Sequence, residues 1–428
     1  MNALAVQLND KIKNENPAIY NMLSDLGLSL FYPKGILSQS AEASKKAHRF
    51  NATIGIATED GEPMHFRHIQ EKLGYSPKDI YPYAPPQGKE ELRSAWREKI
   101  LADNPSLDGK SFGNPIVTNA LTHGLSIVAD LFMNPGDVII TPDQYWGNYN
   151  TVFQVRRGGK VETFSLFNEA GGFHIDSFRE TLQKQSGKAI VILNFPNNPT
   201  GYTPSLTEAA EIVQALKESA EAGLHLVVVL DDAYFGLFYE DSIKESLFGL
   251  LAGVHPNILP VKVDGATKEN YVWGLRVGFI TYAAQPDVLE ALEQKTKGII
   301  RGTISSGSHV SQTIILESLK SSEFQVEKVE KFNIMQGRAE KTKEVLANEK
   351  FNTYWTYYPF NSGYFMCLKL NSLDAETLRL HLLEEYGVGV IASNTTDIRV
   401  AFSCVEEEHI EELFELIYQG CVDLSNKI

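Results

Sequence analysis

Short apolar runs rich in Val, Ile and Leu alternate along this chain with stretches in which apolar positions return every three or four residues. The runs at 115–118, 137–141, 160–164, 189–193, 224–230, 258–263 and 278–282 have the length and composition of buried strands. Between the fifth of them and its predecessor, Ala209, Ile212, Val213, Leu216 and Ala220 fall at helical spacing and predict a helix over 206–222. Strand and helix in alternation predict an α/β fold, a mostly parallel seven-stranded sheet covered on both faces. From about Ser305 the pattern changes. A helix over 308–320 and a charged helix over 326–348 are followed by short strands near 364–370 and 397–402, then by a closing helix over 406–424. This divides the chain into a large domain, 47–304, and a smaller α+β domain made of 1–46 and 305–428.

Composition narrows the possibilities. The 428 residues carry 39 basic and 54 acidic side chains, a formal charge of −15, which argues against a nucleic-acid-binding face because phosphate recognition needs a basic patch. No apolar run approaches the roughly 18 residues of a membrane span. The first ten residues lack the basic start and sustained apolar core of a signal peptide. Cys367, Cys404 and Cys421 have neither metal-ligand spacing nor an even count. A soluble, cytoplasmic protein without a metal site is expected.

Four segments carry candidate chemistry. Lys268 stands in Gly265-Ala266-Thr267-Lys268, and Arg276 follows eight residues later in Gly274-Leu275-Arg276-Val277-Gly278. An amine that forms a Schiff base with an aldehyde, close to a guanidinium that clamps a phosphate, is what a lysine-linked cofactor needs. Asn197-Asn198-Pro199-Thr200-Gly201 follows a strand-like run and sets a side-chain amide at the strand's carboxyl end, where open α/β sheets bind ligands. Asp231-Asp232-Ala233-Tyr234 follows another run, so a carboxylate can face a heteroaromatic N–H with a phenol nearby. Arg399 lies on the short alternating strand 397–403.

In this order the segments resemble the class I/II aminotransferases of fold type I, the aspartate aminotransferase superfamily, which use pyridoxal 5′-phosphate. The likeness runs from about Tyr83 to Arg399. It implies that Lys268 carries the cofactor and shuttles a proton at the substrate's α-carbon, and that Asp231 keeps the pyridine nitrogen protonated. It also implies that Asn198 and Tyr234 bond the cofactor's phenolic oxygen. By the same resemblance Ala120, Leu121 and Thr122 open a helix that cups the phosphate with Arg276, and Trp146 stacks on the ring. Tyr83 is expected to reach the phosphate of a neighbouring subunit, in a homodimer with shared active sites. Arg399 is expected to bind the substrate's α-carboxylate, with Asn198 and Trp146 beside it. Arg301 is similar to an arginine that enters from the other subunit to bind a distal carboxylate, although Ser305-Ser306-Gly307-Ser308 departs from the family's Ser-Asn-Pro-Pro. The family pattern selects Asp231 over Asp232, which is left structural, as is His123. Other departures are Tyr271 where a smaller residue is usual, Gly265 where many members carry serine, and Tyr149 where a histidine often supports the aspartate.

The resemblance implies transamination from an L-amino acid (aspartate, glutamate or an aromatic one) to a 2-oxo acid. The same constellation also runs eliminations and decarboxylations, because the cofactor carries the hard chemistry; a lyase or decarboxylase is the alternative. A transcriptional regulator built on this module would need a basic DNA-binding domain ahead of it, and the stretch before Tyr83 shows no helix-turn-helix pattern and no basic cluster.

Overall fold

The structure, a computed structural model, describes residues 2–15, 23, 28, 36–53, 55–71 and 74–426. Its centre is a seven-stranded sheet: β1 (Ile116–Asn119), β2 (Val138–Pro142), β3 (Lys160–Phe164), β4 (Lys188–Leu193), β5 (His225–Asp231), β6 (Ile258–Gly265) and β7 (Val277–Tyr282). The strand order is β1-β7-β6-β5-β4-β2-β3. All neighbours run parallel except β7, which is antiparallel to both β1 and β6. The α/β expectation holds, and each predicted run is a strand.

Side-chain alternation on the central strands divides the large core in two. Ile190 and Ile192, Val227 and Val229, and Val261 and Val263 pack on one face with Leu125 and Val128 of the helix Ala120–Phe132. Val191, Val228 and Leu230 pack on the other with Ile212 and Leu216 of the helix Leu206–Glu221. Strands buried on both faces read as continuous apolar runs, which is why the sequence marks them so clearly. The helix Leu206–Glu221 starts where a capping box forms, Ser205 accepting from the Glu208 N–H while Glu208 accepts from the Ser205 N–H.

The C-terminal part is built on a four-stranded antiparallel sheet of β8 (Trp355–Tyr357), β9 (Phe365–Leu370), β10 (Ile391–Ala392) and β11 (Asp397–Ala401), in the order β8-β9-β11-β10. The helices His309–Lys320, Phe324–Leu346 and Ile410–Ser425 accompany it. The charged helix begins two residues before the predicted 326–348 and also ends two residues early, where the chain turns into a 3-10 helix over Glu349–Thr353 capped by Asn348. From the N-terminal segment, the helix Ile36–Lys46 lies against the small sheet, Gln39 exchanging two hydrogen bonds with the backbone of Ala392. Residues 16–22, 24–27 and 29–35 of that segment lie outside the described residues. Among the described residues no helix is long and apolar enough to cross a membrane.

Candidate active site

The carboxyl ends of β4, β5 and β6 and the start of the helix Ala120–Phe132 converge on one cleft with about 750 Å³ of atom-free space, part of it open to solvent. This is where a parallel α/β sheet leaves strand-end side chains and helix N–H groups facing one volume. Asp231 closes β5 on the face shared by Val227 and Val229. Tyr149 donates to its Oδ2 at 2.6 Å, whereas Oδ1 is buried without a partner. Burial raises its pKa to about 6, with the Tyr149 hydrogen bond and the Lys268 charge pulling the other way. Asp232 is held away from the cleft by Ser246 at 2.6 Å and by the Lys262 ammonium. The structural reading of Asp232 and the supporting phenol of Tyr149 both agree with this geometry.

After β6 the chain passes through Gly265 into the short helix Ala266–Glu269, which carries Lys268. A Cβ on residue 265 would lie 2.7 Å from the Val277 carbonyl oxygen and 2.8 Å from the Gly278 Cα, so no serine fits where the family often has one. The hydroxyl contact is available instead on Thr267, whose buried Oγ1 lines the cleft and has no partner. Burial lowers the Lys268 pKa to about 8, Asp231 opposing the shift and Arg276 adding to it. The Lys268 amine sits 5.2 Å from the centroid of the Tyr234 ring. About a tenth of this amine is therefore neutral and nucleophilic at about pH 7, hundreds of times the share in a free lysine at about 10.4.

The helix Ala120–Phe132 starts without a side-chain cap on its first N–H groups. Its entry is fixed by backbone geometry: Ala120 (φ 61°) donates to the carbonyl of Arg276, itself left-handed at φ 53°. An uncapped helix start beside an arginine and a free threonine hydroxyl suits a phosphate. His123 Nδ1 accepts from the N–H of Asn119, the residue just before the helix, at 3.1 Å, and burial lowers its pKa, a structural contact that leaves the first helical N–H groups without a side-chain cap.

Across the cleft, Arg399 on β11 is 1 % exposed. Its Nη1 donates to Asn198 Oδ1 at 3.0 Å and its Nη2 to the Thr53 carbonyl at 2.8 Å, and the guanidinium lies 4.1 Å from the Phe365 ring centroid. Asn198 is placed by Asn194, which accepts from its N–H at 2.8 Å and donates to the Asp231 carbonyl at 2.6 Å. Trp146 lines the same space, edge-on to Tyr149 with centroids 5.7 Å apart.

Among the described residues, four buried charged side chains leave an atom unpartnered: Asp231, Asp264, Arg338 and Arg399. Asp264 has Lys262 at 3.4 Å and Arg338 has Glu406. Among the described residues no opposite charge stands within salt-bridge distance of Asp231 or Arg399. A buried charge without a partner is costly, and both such groups line this one cleft.

These residues fit pyridoxal phosphate: Asp231 Oδ1 for a ring N–H, Lys268 for an aldehyde, and the helix start, Thr267 and Arg276 for a phosphate. Lys268, Asp231, Tyr234, Ala120, Leu121, Thr122, Trp146, Asn198, Arg276 and Arg399 are thus brought together as the sequence predicts. Tyr83 and Arg301 are not. Tyr83 is 92 % exposed, and Arg301 is an exposed helix-end residue bonded to Ser305; neither lines the cleft of its own chain. Sequence reasoning missed Asn194, Thr53, Gly55 and Phe365. Only Asn194 left a signal, a polar residue directly closing a buried strand.

Comparison with known proteins completes the picture. The family model described as "Aminotransferase class I and II" matches residues 67–417. The chain is 30 % identical over 244 residues to a probable aspartate/prephenate aminotransferase of Thermus aquaticus, a match spanning 56 % of this chain and 57 % of that protein. It is 23 % identical over 341 residues to an aspartate aminotransferase of Sulfurisphaera tokodaii, spanning 77 % and 80 %. Its fold is shared with a crystal structure of an aminotransferase from Anaerococcus prevotii, with a TM-score of 0.80 at 24 % identity over 91 % of this chain and 97 % of that one.

Proposed function

From its membership of the class I and II aminotransferase family, to which the chain belongs, we propose that it moves the amino group of an L-amino acid to a 2-oxo acid, with pyridoxal 5′-phosphate held in the cleft. The observation that carries this reading is the pair of buried charges that no opposite protein charge meets at salt-bridge distance among the described residues, Asp231 and Arg399, in one cleft with a buried lysine of depressed pKa.

When bound, the cofactor supplies an aldehyde for amine exchange and a ring that accepts the electrons released at the substrate's α-carbon. Asp231, steadied by Tyr149, holds a proton on the ring nitrogen. Arg399, kept in plane by Asn198 and Thr53, takes the α-carboxylate and so orients the α-hydrogen. Lys268 Nζ would take up that proton and hand it on, a task suited to an amine whose pKa is lowered to about 8. Phe365 and Trp146 cover the reacting atoms with apolar surface and exclude water.

The names of the relatives support a dicarboxylic donor, aspartate or glutamate. On this reading the distal carboxylate is met by Arg301 from a second copy of the chain, whose Tyr83 completes the phosphate site. The exposure of both residues agrees with such a homodimer.

The test is nitrogen transfer. The cofactor-loaded protein is given single 15N-labelled amino acids and 2-oxoglutarate, and label in glutamate is measured by mass spectrometry. With aspartate as donor the label should appear in glutamate, and oxaloacetate should form in equal amount. Ammonia or carbon dioxide released without need of an acceptor would replace the proposal by a lyase or decarboxylase.

A further inference from the structure

Beside the cleft lies an ion cluster that the proposed chemistry does not use. Glu269 follows Lys268 directly and is 6 % exposed. Its Oε2 stands 2.9 Å from Lys99 Nζ and its Oε1 2.5 Å from Lys328 Nζ. Burial opposes ionisation of this carboxyl, but Lys328 and Lys99 outweigh it and hold its pKa well below the usual range. The two lysines come from different parts of the fold. Lys99 lies on the helix Glu90–Asp103, whose Trp96 and Ile100 pack in the core of the large sheet, and Lys328 lies on the helix Phe324–Leu346, which packs on the closing helix.

The same carboxylate touches the loop that carries Tyr234. Gly236 has φ 89°, and a Cβ there would lie 2.9 Å from Glu269 Oε1 and 3.2 Å from its Cδ. Between Tyr234 and Gly236, the Phe235 ring lies 5.7 Å from the Lys99 ammonium and 4.7 Å from that of Lys262. From the other side, Tyr364 donates to the Lys268 carbonyl at 2.9 Å.

We propose that Glu269 is the positioning residue for Lys268: its carboxylate, pinned between Lys99 and Lys328 and pressed against Gly236, fixes the short helix Ala266–Glu269 relative to the Tyr234 loop and to the helix Phe324–Leu346. The proposal rests on the role given to Lys268 above. A glutamine at 269 keeps shape and one acceptor but leaves Lys328 without its counter-charge and Lys99 with Asp103 alone, so the segment loses its anchor. Lys268 has to reach the α-hydrogen within a fraction of an ångström, and that is where such an error is felt.

The experiment combines hydrogen exchange on the cofactor-free chain with kinetics of the loaded protein. It compares the parent with Glu269→Gln, Glu269→Asp and Lys328→Met. In Glu269→Gln, amides of 266–271 and 233–237 should exchange roughly tenfold faster while remote strands keep the parent's rates, and kcat should fall on the order of 10- to 100-fold with KM within about threefold. Glu269→Asp, which keeps the charge, should recover part of both. A folded Glu269→Gln protein with the parent's local exchange and kcat overturns the proposal. If that variant does not fold, Lys328→Met decides: faster exchange in the same two segments supports the proposal, and unchanged exchange overturns it. A parent without amino transfer removes the role assigned to Lys268, and with it the positioning role, even where the exchange pattern shows Glu269 anchoring its segment.

Discussion

Replacing Asp231 by asparagine should make the cofactor-free protein more stable while abolishing its chemistry. Burial raises the Asp231 pKa from 3.8 to about 6, so the folded chain holds this proton more tightly than the unfolded chain does. The contribution to stability is whole below about pH 4 and is lost as pH rises through about 6. A displacement of roughly two units, at about 1.4 kcal/mol each, amounts to about 3 kcal/mol lost by pH 8 and about half of that at pH 5. Asparagine has nearly the same volume and still accepts from Tyr149, but it cannot ionise. In urea unfolding of cofactor-free protein at one fixed concentration, Asp231→Asn should gain about 3 kcal/mol over the parent at pH 8 and about half that at pH 5. Amino transfer should fall at both pH values, a direct exchange of function for stability. A variant no more stable than the parent at pH 8, or one with the same advantage at both pH values, would refute the claim that the fold holds this carboxylate at a cost.

Two further outcomes test the phosphate end of the cleft. Gly265→Ser should lower the unfolding midpoint by the equivalent of about 1–3 kcal/mol through overpacking against Val277 and Gly278, with no gain in cofactor affinity; an unchanged midpoint in calorimetry would show that the backbone yields there. Thr267→Val removes the unpartnered hydroxyl at constant shape and should weaken cofactor binding by about 1 kcal/mol, roughly fivefold in Kd. An equilibrium cofactor titration identical to the parent's would take Thr267 out of the phosphate site.

Much of the fold was legible because β4, β5 and β6 are buried on both faces along their middles and are apolar at most positions there. The strands β8 and β10 were not. Three and two residues long, they carry no period and exist only because β9 and β11 offer them an edge. In the site, the residues that read clearly were those whose chemistry is carried by a side chain on or shortly after a strand: Lys268, Asp231, Asn198 and Arg399. What could not be read was contact made by backbone or by neighbours distant in sequence. Thr53 contributes only a carbonyl to Arg399, and Glu269 looks like a solvated helix residue until Lys99 and Lys328 arrive from 170 and 59 residues away. Tyr83 and Arg301 mark a different limit: both are exposed and lie away from the cleft of their own chain.

The neighbours Asp231 and Asp232 show how one fold treats the same side chain in two ways. Strand alternation sends them in different directions, and each meets a buried environment: Asp231 is 3 % and Asp232 5 % exposed. Asp232 meets Lys262 and Ser246, so its charge is neutralised within the protein. Asp231 takes the Tyr149 phenol on one oxygen and has no opposite charge at salt-bridge distance among the described residues, and its other oxygen is left bare. Had stability alone set these contacts, a lysine placed for Asp231 as Lys262 is for Asp232 would have removed the penalty. The cation that relieves Asp231 has to be one that comes with a ligand, just as the anion that relieves Arg399 does. A site that is short of one positive and one negative partner, on either side of a neutralisable lysine, selects a zwitterionic substrate and a protonated heteroaromatic cofactor before any detail of the substrate's side chain is considered.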